Sequence, residues 1–187
     1  MAAPPEMTIL DISGKYMMNK SLSDDTDEIL RLQGVSWFKR RAISMASIYL
    51  TVRHYTSDDG VEHIDIDQVL SGGVGGNTEN RILDYEEREI QDPTFGWVLS
   101  RSRRVSLDEI DNEWLREGWT DDVWEHGTVD TRAQSETEKS HTNWVVEQTW
   151  GFEEIDGEKR YARHLDFLGP GGEKIRARLV YDYQGTL

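Results

Sequence analysis

Two histidines, a set of indole rings and a few arginines carry most of the chemistry this sequence could perform. His164 falls in Tyr161-Ala162-Arg163-His164, inside an alternating stretch over 158–167, and His54 ends another over 43–55 between Arg53 and Tyr55. An imidazole aimed into an apolar enclosure is desolvated and held neutral near pH 7, the state a general base needs. His164, His54 and Tyr55 are therefore the candidate catalytic groups if the chain is an enzyme; the competing reading leaves them on a rim or the surface. His63, His126 and His141 lie near turns or in an acidic stretch and read as solvated. No two of the five histidines have the i, i+2 spacing of a strand or the i, i+4 spacing of a helix. The pairs Asp24-Asp25, Asp58-Asp59 and Asp121-Asp122 lack calcium-loop spacing, so no metal is expected. Without a Gly-x-Ser-x-Gly elbow, serine hydrolysis has no support. Trp37, Trp97, Trp144 and Trp150 supply flat surfaces for a hydrophobic or polycyclic ligand, or plain core packing. Arg101 and Arg103 share a face with Trp97 and Leu99, where an interior cation could meet an anionic or phenolate group.

Composition narrows the setting in which such residues can work. The 187 residues carry 21 Lys and Arg against 36 Asp and Glu, a formal charge of −15 that repels phosphate backbones and excludes nucleic acid as a main partner. Cysteine is absent, which removes disulfides, thiolate nucleophiles and Cys-ligated zinc and fits a reducing, cytoplasmic compartment. No apolar stretch approaches the ~20 residues of a membrane span, and Met1–Glu6 has no signal-peptide pattern. No cofactor is implied. The length suits one domain.

The elements that must position these groups are mainly strands. Residues 1–8 read as a flexible arm and 9–187 as one domain. Ile12, Gly14, Tyr16 and Met18 alternate on a first strand. Caps and acids at 21–28 open a short helix that stops at Gly34, and Val35–Arg41 reads as a second. The pair forms a helical lid over about 24–41. A strand over 43–55 turns at Ser57-Asp58-Asp59-Gly60 into 61–70, and 71–77 reads as a glycine-rich loop with no phosphate-binding pattern. Further strands are expected at 81–90 and 95–105, a helix at 107–117, and closing strands at 143–152, 158–167 and 174–183. Residues 106–142 form an acidic insert with a possible strand over 123–131. The order predicts a mostly β protein: an up-and-down antiparallel barrel roofed by a helix-turn-helix between its first two strands.

Asp27-Glu28-Ile29-Leu30-Arg31-Leu32-Gln33-Gly34-Val35-Ser36-Trp37-Phe38-Lys39-Arg40-Arg41 resembles the lid of the intracellular fatty-acid-binding proteins, and Gly14-Lys15-Tyr16 lies where the wider calycin group carries Gly-x-Trp. Asn77-Thr78-Glu79-Asn80, then Glu87-Arg88-Glu89 and Asp92, is similar to that family's acidic hairpin region. The resemblance spans 9–105 and, more weakly, 143–184. It implies a barrel with a partly apolar interior, a portal beneath the lid, and cytosolic binding of a fatty acid or similar ligand. The family commonly ends in Arg-x-Tyr with both side chains inward. Here Arg178 and Tyr181 are the nearest equivalents, and strict alternation puts them on opposite faces unless a bulge intervenes. The expected function is therefore carriage of a small hydrophobic or aromatic molecule. The alternative is a cofactor-free cyclase or isomerase working in the same cavity on a reactive natural-product intermediate.

Overall fold

A computed structural model describes residues 1–72 and 76–187; the glycine-rich connection expected over 71–77 lies in part outside the described residues. Among the described residues ten strands form one antiparallel sheet: β1 (Gly14–Met18), β2 (Ile48–Thr56), β3 (Glu62–Leu70), β4 (Asn77–Ile82), β5 (Arg88–Asp92), β6 (Gly96–Val105), β7 (Thr128–Ser135), β8 (Val145–Ile155), β9 (Glu158–Leu168) and β10 (Lys174–Gly185). Their spatial order, β4-β3-β2-β1-β10-β9-β8-β7-β6-β5, is a meander curled until its two ends meet. Between the end strands the ladder gives way to side chains and a single bridge. Asp84 pairs with Arg103, the Asn77 amide donates to Asp92 at 2.8 Å, and Arg81 Nη1 donates to Ser100 Oγ at 2.6 Å. The fold is the calycin-like barrel expected from the sequence.

Period-2 alternation fills the barrel. Tyr16, Val52, Ile64, Ile66, Trp150, Phe152 and Tyr161 are almost completely buried around its closed end. At the other end the lid is α1 (Asp27–Leu32) and α2 (Trp37–Met45), whose buried Ile29 and Leu32 pack with Val98, Trp144, Val146, Leu165 and Phe167. Gly34, at φ +82°, takes the left-handed turn between the helices. Ser36 caps α2 from its Oγ to Lys39 N at 3.4 Å, and the helix runs on to Met45. β2 thus begins only at Ile48, later than the alternation from residue 43 suggested.

Three other segments differ from expectation. The run expected as one strand over 81–90 is divided by a turn at 83–87, where Tyr85 adopts φ +63°, into β4 and β5 on opposite edges of the sheet. The helix expected at 107–117 is a 3-10 turn at Leu107–Glu109 and a separate α3 (Glu113–Arg116), because Ile110 is extended and Asn112 opens a new cap to Trp114 N. The insert is shorter than 106–142: α4 (Asp121–His126) ends it at Gly127, and β7 is a full barrel strand followed by α5 (Thr137–Ser140). Residues 106–127 lie against the outside of β8 and β9, where Thr120 N donates to Phe152 O at 2.9 Å and Trp114 Nε1 to Leu165 O at 3.0 Å. The first eight residues are tied to the barrel: Ala3 N donates to Lys159 O at 2.7 Å, and Tyr183 N donates to Met1 O at 3.0 Å. No helix among the described residues is long and apolar enough to cross a membrane.

Candidate functional site

Beneath the lid the barrel holds a cavity of about 330 Å³, lined in its upper part by Ile29, Leu30, Ile43, Phe95, Leu165 and Leu179. That volume is at the small end of the range for ligand pockets. Its deeper wall is polar. Asn77, Glu79 and Arg81 alternate inward on β4, and Arg163 projects from β9 between the inward Tyr161 and Leu165.

Arg163 is 5 % exposed, and its guanidinium lies 3.9 Å from the ring centre of the fully buried Trp150. Its Nε donates to the Tyr161 hydroxyl at 3.0 Å, Nη1 stands 3.7 Å from Glu79 Oε2, and Nη2 has no acceptor among the described residues. Arg81 reaches the same carboxylate with Nη2 at 3.3 Å, and its buried Nε also has no acceptor. One carboxylate therefore serves two guanidinium groups. Burial pushes the Glu79 carboxyl up, but Arg163 and Arg81 more than reverse this and hold it below its ordinary range. Burial works against the charge on Arg163, yet Tyr161, Tyr181 and Glu79 around it keep the guanidinium protonated. Tyr161 and Tyr181 are themselves pushed up, chiefly by burial, and stay phenols at neutral pH. The wall supplies fixed charge and hydrogen-bond donors. It offers no group poised to take a proton.

The residues singled out in the sequence fall into three places. Tyr181 and Trp144 line the cavity, and Trp150 lies beneath Arg163 as its stacking partner. His54 points to the closed end: its Nδ1 accepts from Ile12 N at 3.2 Å, which puts the proton on Nε2, 2.6 Å from Glu62 Oε1. Arg104 holds the other side of Glu62, its Nε donating to Oε2 at 2.9 Å. The remaining candidates are outside the barrel. His164 is buried under the insert, flanked by Trp114 and Trp119 with ring centres 4.9 and 4.2 Å away, its Nε2 2.7 Å from Glu153. Arg178 joins that cluster at 3.5 Å from Glu153, on the face opposite Tyr181, as strict alternation requires. Tyr55 stacks on His63 at the surface, Trp37 is 60 % exposed on α2, and Trp97 lies under Lys139. The Arg101 and Arg103 guanidinium groups lie 4.5 and 4.4 Å from the ring centre of Tyr85. None of the five histidines lines the cavity.

Sequence reasoning passed over Arg163, Arg81, Glu79 and Gln148. The signal was present in β9, where the inward positions Tyr161, Arg163, Leu165 and Phe167 are apolar or aromatic except for one arginine. In β4 the inward residues are all polar, so no alternation marked them.

These features define a class: a lidded calycin-like barrel with an enclosed, part-apolar cavity and an arginine cluster on its deep wall. The fold is shared with a fatty-acid-binding protein from the brain of Drosophila melanogaster (TM-score 0.54, 14 % identity, 92 % of this chain and 99 % of that one). A second fold relative is fatty-acid-binding protein 1 of Echinococcus granulosus (TM-score 0.53, 13 % identity, 92 % and 96 %). No protein-family model matches the chain. Sequence relationship lies elsewhere. The chain is 34 % identical to scpY of Mollisia scopiformis, described as a probable pericyclase, over 98 % of its own length and 95 % of the relative's. It is 29 % identical to the pericyclase pydY of an Acremonium species, over 99 % and 98 %. The chain belongs to the family of these two proteins.

Proposed function

We propose that the protein is a pericyclase: it takes a flexible, mostly apolar unsaturated substrate into the barrel and accelerates its concerted ring closure. The observation that carries this reading is the Arg81-Glu79-Arg163 cluster on the deep wall of a part-apolar cavity, in a chain akin to named pericyclases. A pericyclic step moves electrons around a ring without a nucleophile or a proton carrier. It is helped by a folded, near-reactive substrate shape and by donors that draw electron density toward a carbonyl. Cavity walls and lid supply the first. Arg163 supplies the second, its guanidinium fixed between Trp150, Tyr161 and Glu79 before any substrate arrives.

The shared fold of fatty-acid-binding proteins favours a second reading, in which the same cavity carries a hydrophobic molecule unchanged. Incubation with a linear substrate bearing a tethered diene and an electron-poor alkene separates the two. A pericyclase gives faster ring closure than buffer and a product enriched in one stereoisomer, and Arg163→Met lowers the rate by about 10²-fold, the worth of one preorganised donor. Binding seen by tryptophan emission, with the rate and isomer ratio of buffer, would leave only the carrier.

A further inference from the structure

The polar wall also bears on which substrates the cavity accepts. Arg81 and Arg163 contribute two positive charges and Glu79 one negative, leaving one positive charge on the deep wall. Asp92, the other acid of the lining, keeps its charge on β5, where it accepts from Thr94 N, Phe95 N and the Asn77 amide, so the surplus positive charge belongs to the Arg81-Glu79-Arg163 group itself. A buried cation is stable only when matched by charge and hydrogen bonds, and here the two guanidinium groups share one carboxylate while Arg163 Nη2 and Arg81 Nε have no hydrogen-bond acceptor among the described residues. Among the described residues these two donors have no hydrogen-bond partner; of the other cavity-lining side chains only Trp144 Nε1, nearer the lid, is also buried and unpaired, whereas Trp150 Nε1 beneath Arg163 donates to Gln148 at 3.1 Å. The position is distinct from the last-strand Arg-x-Tyr that the sequence resemblance implied, because Arg178 lies outside the barrel.

Resting on the reading of this cavity as the substrate pocket, we propose that the substrate is a monoanion whose acidic oxygen, carboxylate or enolate, docks head-down between Arg81 and Arg163. Its hydrocarbon part extends upward among Leu165, Leu179, Ile29 and Phe95. A cation is repelled by the net charge, and a neutral head leaves the two guanidinium donors only partly matched. Glu79 sets the count: it keeps the wall at one positive charge and so selects a single negative one.

The test uses the full chain and three probes of equal chain length: decanoate, 1-decanol and decyltrimethylammonium, followed by tryptophan emission and calorimetry. Decanoate should bind about 10- to 100-fold more tightly than decanol, the worth of a hydrogen bond to a charged group, and the ammonium probe weakest. Arg163→Gln and Arg81→Gln should each erase most of that preference while leaving decanol affinity intact, which shows that the cavity is still formed. Glu79→Gln, with two net positive charges, should tighten decanoate. Equal affinity for decanoate and decanol, or a preference that survives both arginine substitutions, overturns the proposal. Failure of the catalytic reading appears separately, as retained head-group preference without any acceleration of ring closure.

Discussion

Glu62 fastens the closed end of the barrel, and its removal should cost stability in a way that depends on pH. Its carboxylate, 22 % exposed, meets His54 Nε2 at 2.6 Å and Arg104 Nε at 2.9 Å, while Arg104 also donates to Ile9 O and Gly127 O, each at 3.1 Å. One ion pair thus joins β2, β3, β6, the N-terminal segment and the end of the insert. Burial pushes the carboxyl up, but the hydrogen bonds from His54 and Arg104 and the Arg104 charge bring it from 4.5 down to about 2. A group depressed in the folded state stabilises the fold fully above its unfolded value and loses that contribution as pH falls through the folded one. At 1.36 kcal/mol for each pH unit between the two values, the contribution is about 3 kcal/mol at pH 7, about 1.5 kcal/mol at pH 3 and near zero below pH 2. Glu62→Gln keeps the shape and removes the charge. Urea unfolding followed by tryptophan emission should show the variant less stable by about 3 kcal/mol at pH 7, a midpoint lower by roughly 1–2 M, and about half that gap at pH 3. A gap of the same size at both pH values would refute the electrostatic account and assign the loss to packing.

Three further substitutions probe the other parts of the architecture. Gly151→Ala places a methyl carbon 2.8 Å from the Trp119 ring and 3.0 Å from Val123, so the insert should lift from β8 at a cost of about 1–3 kcal/mol, read as a lower melting temperature and altered near-ultraviolet dichroism. Ser36→Ala removes the cap of α2; at 3.4 Å that hydrogen bond is long, so the loss should be about 0.5–1 kcal/mol, with faster amide exchange confined to 37–45. Tyr55→Phe deletes a surface hydroxyl that reaches only Asp65 at 3.1 Å and should change ring-closure rates by less than about twofold; a large loss would move catalysis away from the cavity.

The barrel was legible because its determinants are local and periodic. Alternation in β3, β8, β9 and β10, the glycine stop of α1 at Gly34 and the turn at Ser57–Gly60 each carry their own signal. What escaped reading depends on pairing across the sheet. Nothing in residues 81–90 says that the chain leaves one edge and rejoins at the other, since both pieces are polar and the turn rests on Tyr85 packed against two arginines of β6. The placement of the histidines depends on pairing in the same way. His164 and Arg163 are neighbours on β9, and alternation sends one out and the other in, but which one faces the interior is fixed by register with β8 and β10. Trp37, Trp97, Trp144 and Trp150 looked like ligand-binding surface or core packing; the structure puts Trp144 on the cavity wall, Trp150 beneath Arg163, Trp37 on the lid exterior and Trp97 outside the barrel under Lys139.

The same barrel serves proteins named for fatty-acid binding and a family named for pericyclic chemistry, so the difference must reside in the side chains that face inward. A carrier needs affinity for its cargo as it stands. A catalyst must bind more tightly the arrangement in which bonds are changing, and an interior donor does this only if it cannot relax onto the ground state. Arg163 meets that requirement. Stacked on Trp150, bonded to Tyr161 and drawn toward Glu79, it has little freedom to follow a ligand, so whatever acceptor it favours must come to it. Loosening this bracket should therefore separate catalysis from binding. Tyr161→Phe, which frees Nε of Arg163 while leaving its charge and the cavity volume nearly unchanged, should lower turnover more than affinity, whereas equal losses in both would show that Arg163 serves only to hold the substrate.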